Sequence, residues 1–177
     1  MKKALQSNHN RRLLLHLDTQ RNKIPMKLDP LDLAILDQLQ KDARLSNQEL
    51  AEKVGLSPSP CWRRVKRLEE IGVIKEYVAL LAPKEIGVPV LAYAQVSLND
   101  HRPESSERFD EFVRSSAQIL ECCSVSGEYD YLLKIACGSM EAYETYINRE
   151  LLRQTDIRSM NTSFVLNQKK STTALPL

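Results

Sequence analysis

Hydrophobic positions between residues 28 and 70 recur at intervals of three and four, which is the spacing of amphipathic helices. Three groups show this spacing: Leu31, Ile35 and Leu39; Leu50 and Val54; and Cys61, Val65 and Leu68. A helix-start signal precedes each group: Asp29 with Pro30, a capping box of Ser46 and Glu49, and Ser57 with Pro58. The pattern therefore predicts three short helices.

A tight turn at Gly55 and Leu56 separates the second predicted helix from the third. Glycine can take the left-handed backbone conformation that such a turn requires, and the small Ala51 suits a close approach of the two helices. The stretch "SNQELAEKVGLSPSPCWRRVKRLEE" therefore predicts a helix-turn-helix. After Gly72, "GVIKEYVALLAP" at 72–83 contains β-branched residues and predicts a short hairpin, the wing of a winged helix-turn-helix.

Beyond Gly87 the hydrophobic period changes from about 3.6 residues to two. Strands are predicted over 88–98, 117–125, 129–137 and 157–166, and two helices lie between them. The predicted buried helix faces are Phe109, Phe112 and Val113 in the first helix, and Met140, Tyr143, Ile147 and Leu151 in the second. The order βαββαβ predicts a ferredoxin-like domain with an antiparallel four-stranded sheet. The fold class is α+β, with domains over 28–89 and 90–170.

Charge separates the first 25 residues from the rest of the chain. They contain six Lys or Arg residues and one Asp, a net charge of +5, whereas the whole chain carries +2. The short "LLLHL" is no secretory signal core, and no later stretch is apolar enough to span a membrane. Three interpretations of this leader stay open: a disordered basic arm, a weak amphipathic helix, or upstream sequence ahead of a true start at Met26.

The third predicted helix concentrates cationic side chains and contains the only tryptophan of the chain, Trp62. A recognition helix enters the major groove by its N-terminal end. Ser57 would cap this helix, and Pro58 and Pro60 would stiffen its first turn. Arg63 and Arg64 point about 100° apart, so one could read guanine while the other holds a phosphate. Arg67 would extend the face of Arg63.

Two alternatives concern this same helix. Residues 27–76 contain nine cations and nine acids, so the arginines could form a merely solvated face of an amphipathic helix. Trp62 is expected to pack on the domain core or against the wing, because tryptophan is largely buried on average. The preceding helix, the turn and the start signals favour DNA binding.

No catalytic or metal-binding constellation is recognisable, and no cofactor is expected. No histidine has triad or metal-ligand spacing, and Glu128 with Asp130 fits hairpin residues bonded to local backbone better than an acid/base pair. The four cysteines are interpreted as buried thiols of a cytoplasmic protein, with redox sensing by Cys122 and Cys123 as the alternative. The loop "SVSGEYDYLL" offers backbone donors and side-chain acceptors that suit a zwitterionic amino acid.

The chain from Leu28 onward resembles the leucine-responsive/AsnC (feast/famine) family of transcription regulators. The resemblance rests on residues 28–87, on "SGEYDYLL" and on "SFVLNQKKSTTALPL". It implies a winged helix-turn-helix for DNA and a ferredoxin-like domain that dimerises through its sheet, with dimers assembling into tetramers, octamers or larger discs. It also implies an amino acid or related metabolite as effector, bound near the "SGEYDYLL" loop.

We therefore expect a nucleoid-associated bacterial or archaeal regulator that binds a pseudo-palindromic operator, and neither an enzyme nor a membrane partner. The residues assigned to DNA binding are Ser46, Asn47, Gln48, Ser57, Ser59, Pro60, Arg63, Arg64 and Arg67. The residues that the resemblance assigns to the effector are Ser124, Ser126, Gly127, Asp130, Tyr131, Thr155 and Asp156. The alternatives are an architectural DNA-binding protein with little ligand dependence and a small enzyme of ferredoxin-like fold.

Overall fold

The computed structural model describes residues 28–100, 102–154 and 156–177, so the basic leader lies outside the described residues. The chain forms two compact units: the residues up to Tyr77 together with Thr172–Leu177, and Val78–Ser171. The domain boundary at 89/90 stays a prediction. No helix in the described part of the chain is long and apolar enough to cross a membrane.

The first unit contains the three predicted helices, α1 (Pro30–Lys41), α2 (Asn47–Lys53) and α3 (Pro58–Glu70). Their apolar faces meet in one core formed by Ile35, Leu36, Leu50, Ala51, Cys61 and Leu68. Gly55 has a φ of 69°, the left-handed conformation predicted for the turn between α2 and α3. The helix-turn-helix therefore forms from local start signals and a single amphipathic core.

The three helix starts differ in how their backbone donors are satisfied. The capping box predicted at α2 forms between Ser46 and Glu49, and Asp29 caps α1 in a second box with Asp32 that the sequence analysis did not predict. Ser57 occupies the N-cap position of α3, but its side chain makes no capping hydrogen bond, so that part of the prediction is wrong. An N-cap side chain bonds the N–H of the second or third helical residue, and Pro60 at the third position has none, so only the N–H of Ser59 remains as a possible donor.

The hairpin predicted over 72–83 does not form, since residues 72–89 contain no strand. The N–H groups of Val73 and Ile74 instead bond the carbonyl oxygen of Leu68 at 3.0 and 3.1 Å and close the end of α3. Val78 and Leu80 beyond them are exposed. A two-stranded hairpin without an apolar face to bury is marginal in water, which explains its absence here.

The second unit has the predicted βαββαβ order. Its elements are β1 (Val90–Leu98), α4 (Pro103–Ser115), β2 (Ile119–Ser124), β3 (Tyr131–Cys137), α5 (Met140–Tyr146), a π-helical turn (Ile147–Leu151), α6 (Leu152–Gln154) and β4 (Ile157–Phe164). The strands form one sheet in the order β2-β3-β1-β4, and all three pairings are antiparallel. The ferredoxin-like prediction is confirmed.

Alternate residues of the central strands face the helices. Ala92, Ala94 and Val96 of β1 are buried beside Leu133 and Ile135 of β3, which gives the period of two in the sequence. The predicted buried residues of the helices belong to the same core, with one correction: Met140 is exposed. It is the first residue of α5, ahead of the turn that packs on the sheet.

The last residues of the chain belong to the first unit. The backbone N–H of Leu175 donates to Gln40 Oε1 at 2.6 Å, and Gln40 Nε2 donates to the Leu175 carbonyl oxygen at 3.1 Å. This reciprocal pair fixes the C-terminal segment beside the end of α1. The interaction uses only backbone atoms of Leu175, so no sequence pattern in the tail could have predicted it.

Candidate nucleic-acid interface and effector loop

One face of α3 is turned to solvent along its first two and a half turns. It consists of Ser59, Trp62, Arg63 and Lys66, which recur at helical intervals and are all exposed. Lys66 is paired with Glu69 at 2.6 Å, whereas Arg63 has no ion pair with any residue that the structure describes. We call these four residues the exposed stripe. It has the position from which a recognition helix contacts the major groove.

Arg64 and Arg67 lie beside the exposed stripe, on the side of α3 that contacts α1, and with Arg63 they line a cavity of about 330 Å³. Arg64 Nη1 donates to Asp29 Oδ2 at 2.7 Å and to Asp32 Oδ1 at 2.8 Å, and Arg67 pairs with Asp32 through Oδ2. The Asp32 side chain is only 1% exposed, so its charge depends on these two guanidinium groups. Asp29, Asp32, Arg64 and Arg67 form a charged brace that holds α3 against α1.

The brace also changes the electrostatics of its outer members. The backbone N–H of Asp32, followed by the guanidinium of Arg64, holds the pKa of Asp29 below its ordinary value. Hydrogen bonds to Asp29 and then to Asp32 raise the pKa of Arg64. Arg64 and Arg67 remain 27% and 40% exposed, so part of each guanidinium still faces solvent. The arginines are therefore structural in the free protein and retain some surface for a phosphate.

The predicted residues of α2 support the start of α3. Asn47 Nδ2 donates to the carbonyl oxygen of Pro58 at 2.8 Å, and Ser46 is occupied in the capping box of its own helix. Gln48 Nε2 donates to Glu52 Oε1 at 3.3 Å on the exposed side of α2. A shallow cavity of about 410 Å³ lies between these helices, lined by Asn47, Pro58, Ser59, Trp62 and Arg63.

Trp62 is not a core residue and the wing hairpin does not form, so the expectation that Trp62 packs on the domain core or against the wing is wrong. Its side chain is 52% exposed, and it does not belong to the buried cluster of the first unit or to the residues packed against it. Helical spacing could have identified Trp62 as exposed. Position 62 is one residue after the buried Cys61, about 100° around the helix, and three residues after Ser59, on the exposed face. The average burial of tryptophan outweighed that positional signal in the sequence analysis.

Asp130 is built into the end of the sheet. Its Oδ2 accepts the backbone N–H of Leu98 at 2.8 Å, its own N–H donates to Val96 at 2.9 Å, and its carbonyl accepts from Val125 at 3.0 Å. The carboxylate thus bonds a backbone N–H, but that N–H belongs to Leu98, 32 positions away on β1, so the expectation of a bond to local hairpin backbone is wrong for this contact. The adjoining Gly127 has a φ of 125°, which only glycine adopts without strain.

The other predicted effector residues are distributed around the same end of β1. Ser124 at the end of β2 and Ser126 and Gly127 on the β2–β3 loop are exposed. The ring of Tyr131 lies tilted against that of Phe109, with centroids 4.5 Å apart. The Asn99 N–H donates to the carbonyl oxygen of Asp156 at 2.7 Å, and the Asp156 carboxylate pairs with Arg108. Because Leu98 contacts Asp130 and Asn99 contacts Asp156, the two carboxylate residues flank the end of β1. Thr155 lies outside the described residues.

Cys61 and Cys137 are buried, as expected, and Cys122 is half-buried, whereas Cys123 is exposed. Burial raises the pKa of Cys122 to about 11, and it also raises the pKa of Cys61 and of Cys137. A thiol reacts through its thiolate, so these raised values work against redox sensing by Cys122 at neutral pH. The described residues include no group of three or more His, Cys, Asp or Glu that could hold a metal ion.

Two family profiles match the chain in the order of its two units. Residues 28–75 match a profile described as winged helix-turn-helix DNA-binding. Residues 91–175 match a profile described as the Lrp/AsnC ligand binding domain. The first match covers the exposed stripe and the charged brace, and the second covers the loop around Asp130.

Regulators from other bacteria align with this chain over nearly their whole length. The leucine-responsive regulatory protein of Escherichia coli K12 is 41% identical over 148 residues, which are 84% of this chain and 90% of that protein. A transcriptional regulator of Neisseria meningitidis, solved with L-Met, has a TM-score of 0.82 at 39% identity and covers 85% of this chain and 97% of its own. An AsnC family regulator of Agrobacterium tumefaciens has a TM-score of 0.81 at 38% identity, with 84% and 97% covered.

Proposed function

The chain belongs to the Lrp/AsnC family of transcriptional regulators, and from this premise we propose that it binds a specific operator sequence and responds to an amino acid. Family membership sets aside the interpretation as a small enzyme, because members are transcription regulators with a helix-turn-helix. The general function is thus a ligand-modulated DNA-binding regulator. Sequence specificity, the class of ligand and the assembly state are the finer parts of the proposal.

The observation that best supports specific DNA binding is the exposed stripe on a braced recognition helix. Arg63 presents five donors with no ion pair among the described residues, and a guanidinium can bond O6 and N7 of guanine simultaneously. Ser57 and Ser59 lie at the start of the helix, where hydroxyl groups can bond phosphate oxygens. Arg64 and Arg67 hold α3 in position and add partial phosphate contacts from their exposed atoms.

The proposed DNA target follows from symmetry. We expect a homodimer, assembling further into tetramers, octamers or larger rings, to present two recognition helices related by a two-fold axis. Two such helices reach successive major grooves about 34 Å apart, which requires a pseudo-palindromic operator. The support for this assembly is the family membership of the chain.

An amino acid is the proposed effector because the similar Neisseria regulator was solved with L-Met and the β2–β3 loop exposes polar groups around Gly127. An α-amino acid would offer its carboxylate to backbone N–H donors and its ammonium to side-chain oxygens of Ser124 and Ser126. It shifts DNA affinity only if it binds the competing states unequally.

Two experiments on the full chain test the proposal. The first selects duplexes from a random library and compares the affinity of the selected operator with that of a base-shuffled duplex at physiological salt. The second screens the twenty amino acids for a rise in thermal stability, which any ligand specific for the folded state produces. Ser126→Ala should abolish a stability rise without unfolding the protein, whereas Asp130→Ala also removes the bond to Leu98 and is a poor probe of binding.

The architectural alternative predicts a different outcome in the first experiment. A protein that binds mainly phosphates shows similar affinity for both duplexes and a steep dependence on salt. A selected operator with no preference over the shuffled duplex would favour that alternative. An operator preference with no response to any amino acid would retain the DNA part of the proposal and overturn the effector part.

A further inference from the structure

Trp62 is an exposed aromatic side chain in the middle of a polar surface. It is 52% exposed, and its neighbours along the exposed stripe are Ser59, Arg63 and Lys66. Leaving much of an indole ring in water forgoes the stabilisation that burial of so large an apolar surface would give. Tryptophan is enriched at interfaces, where its apolar ring is covered by a partner.

The position of the ring identifies that partner as DNA. Trp62 directly precedes Arg63 and shares with it the shallow cavity of about 410 Å³ at the start of α3. Trp62 also lines a second cavity of about 280 Å³, whose other lining residues include Leu45, Val65 and Tyr77. Trp62 is thus an exposed residue of the N-terminal half of α3, the half that a recognition helix inserts into the major groove.

The major groove offers few apolar groups to such a ring. Among the four base pairs, thymine alone presents a methyl group there, whereas the other edges are hydrogen-bond donors and acceptors. We propose that Trp62 is a specificity-determining residue that packs on the C5-methyl of a thymine in each half-site. This inference rests on the proposed binding of an operator. Arg63 reads an adjacent base, so the pair specifies one apolar and one polar position.

The size of the effect follows from the area of one methyl group. Burying a methyl or methylene stabilises by about 0.8 kcal/mol, which corresponds to about fourfold in affinity at 1.4 kcal/mol per tenfold. Replacing the contacted thymine by deoxyuridine removes only this methyl and leaves the base pairing intact. We therefore expect about a fourfold loss of affinity at one thymine per half-site, and no loss at the other thymines.

The test combines base and protein substitutions on the selected operator. Each thymine is replaced in turn by deoxyuridine, and the affinities of the full-length wild type, Trp62→Ala, Trp62→Phe and Arg63→Ala are measured by fluorescence anisotropy. Trp62→Ala should bind at least tenfold more weakly and become indifferent to the critical deoxyuridine. Trp62→Phe keeps an apolar ring and should remain sensitive. The matched control, Arg63→Ala, should weaken binding yet retain the full deoxyuridine effect.

The possible outcomes separate this inference from the function on which it rests. If wild type binds its operator specifically but no deoxyuridine weakens it, or if Trp62→Ala responds like wild type, the thymine contact is refuted and the regulator function stands. If Trp62→Ala binds the operator with wild-type affinity, the ring serves another partner and the inference is likewise overturned. If no operator is selected, the proposed function fails and the inference fails with it.

Discussion

Replacing Asp32 by asparagine removes the charge that holds the recognition helix against α1 and leaves the side-chain shape almost unchanged. The carboxylate accepts from Arg64 at 2.8 Å and from Arg67, and it also accepts the N–H of Asp29 at 3.2 Å within the capping box. An asparagine offers one oxygen and one NH₂ group in these places. The NH₂ group would face a guanidinium donor, so one of the two arginines loses its hydrogen bond to residue 32, although Arg64 keeps its bond to Asp29.

The magnitude follows from the number of contacts and from their exposure. Two hydrogen bonds between charged groups contribute about 1.5–3 kcal/mol each, an upper sum of roughly 3–6 kcal/mol. Because Arg64 and Arg67 are 27% and 40% exposed, they regain part of their hydration when the pair is broken. We expect Asp32→Asn to reduce the free energy of unfolding of the first unit by about 2–4 kcal/mol, close to other broken buried pairs.

Urea denaturation of the full chain measures this change, since urea is uncharged and does not screen ion pairs. Trp62 is the only tryptophan of the chain and belongs to the first unit, so its fluorescence follows that unit. The matched control is Asp37→Asn, the same chemical change in the same helix, where Asp37 pairs with Lys41 at 2.6 Å on the surface. Surface pairs contribute about 0–1 kcal/mol, so the control should hardly shift the midpoint.

Equal midpoints for Asp32→Asn and Asp37→Asn would refute the idea of a structural brace. Arg64 and Arg67 would then be available for DNA, as the sequence analysis proposed. A large shift for Asp32→Asn alone would mean that alanine substitutions of Arg64 or Arg67 weaken DNA binding partly through loss of structure. Binding assays on those variants therefore need a parallel measurement of stability.

Three further predictions concern separate surfaces of the protein. If Arg63 reads a base, Arg63→Ala should weaken operator binding by about 1–3 kcal/mol and relax sequence specificity at one base position. If affinity instead falls equally for all sequences, and the slope of log affinity against log salt concentration is lower by about one, Arg63 contacts a phosphate. Burial and the hydrogen bond to Glu69 raise the pKa of Tyr77 to about 12. The neutral phenol of Tyr77 therefore stabilises the fold fully below about pH 10, and this stabilisation is lost as the pH rises through 12. Ultraviolet absorbance of tyrosinate in wild type and in Tyr77→Phe checks this prediction, and a titration of Tyr77 near pH 10 would contradict it. Asp130→Ala should destabilise the second unit by about 1.5 kcal/mol, because the hydrogen bond to the Leu98 N–H is lost. Thermal unfolding followed by circular dichroism measures this change. An unchanged melting curve would mean that this bond does not stabilise the unit and that Asp130 serves ligand binding alone.

Local patterns predicted most of the fold. Helix starts such as Ser46 with Glu49, the turn at Gly55 and the period of two in β1 depend on residues close together in sequence, and all three are confirmed. The prediction of a hairpin after Gly72 is wrong because it too was based on local composition alone. The composition of this segment suits a strand, but a strand also needs a partner, and composition does not supply one.

The site was less predictable because its important contacts join distant parts of the chain. Asp32 and Arg67 are 35 positions apart, and Arg108 and Asp156 are 48 apart, so no short motif connects them. The arginine run at 63–67 indicated a cationic helix but not which side chains face α1. Helical period separates Arg63 from Arg64 once a buried neighbour such as Cys61 is known.

The most direct test of the account is the affinity of the full chain for its selected operator relative to a base-shuffled duplex of equal length at physiological salt. Specific DNA-binding proteins prefer their sites by about 10³-fold or more. We predict such a ratio for wild type and a change in operator affinity when the stabilising amino acid is added. A ratio near one, unchanged by any amino acid, would contradict the central claim and identify a protein that binds DNA through its phosphates without reading the sequence.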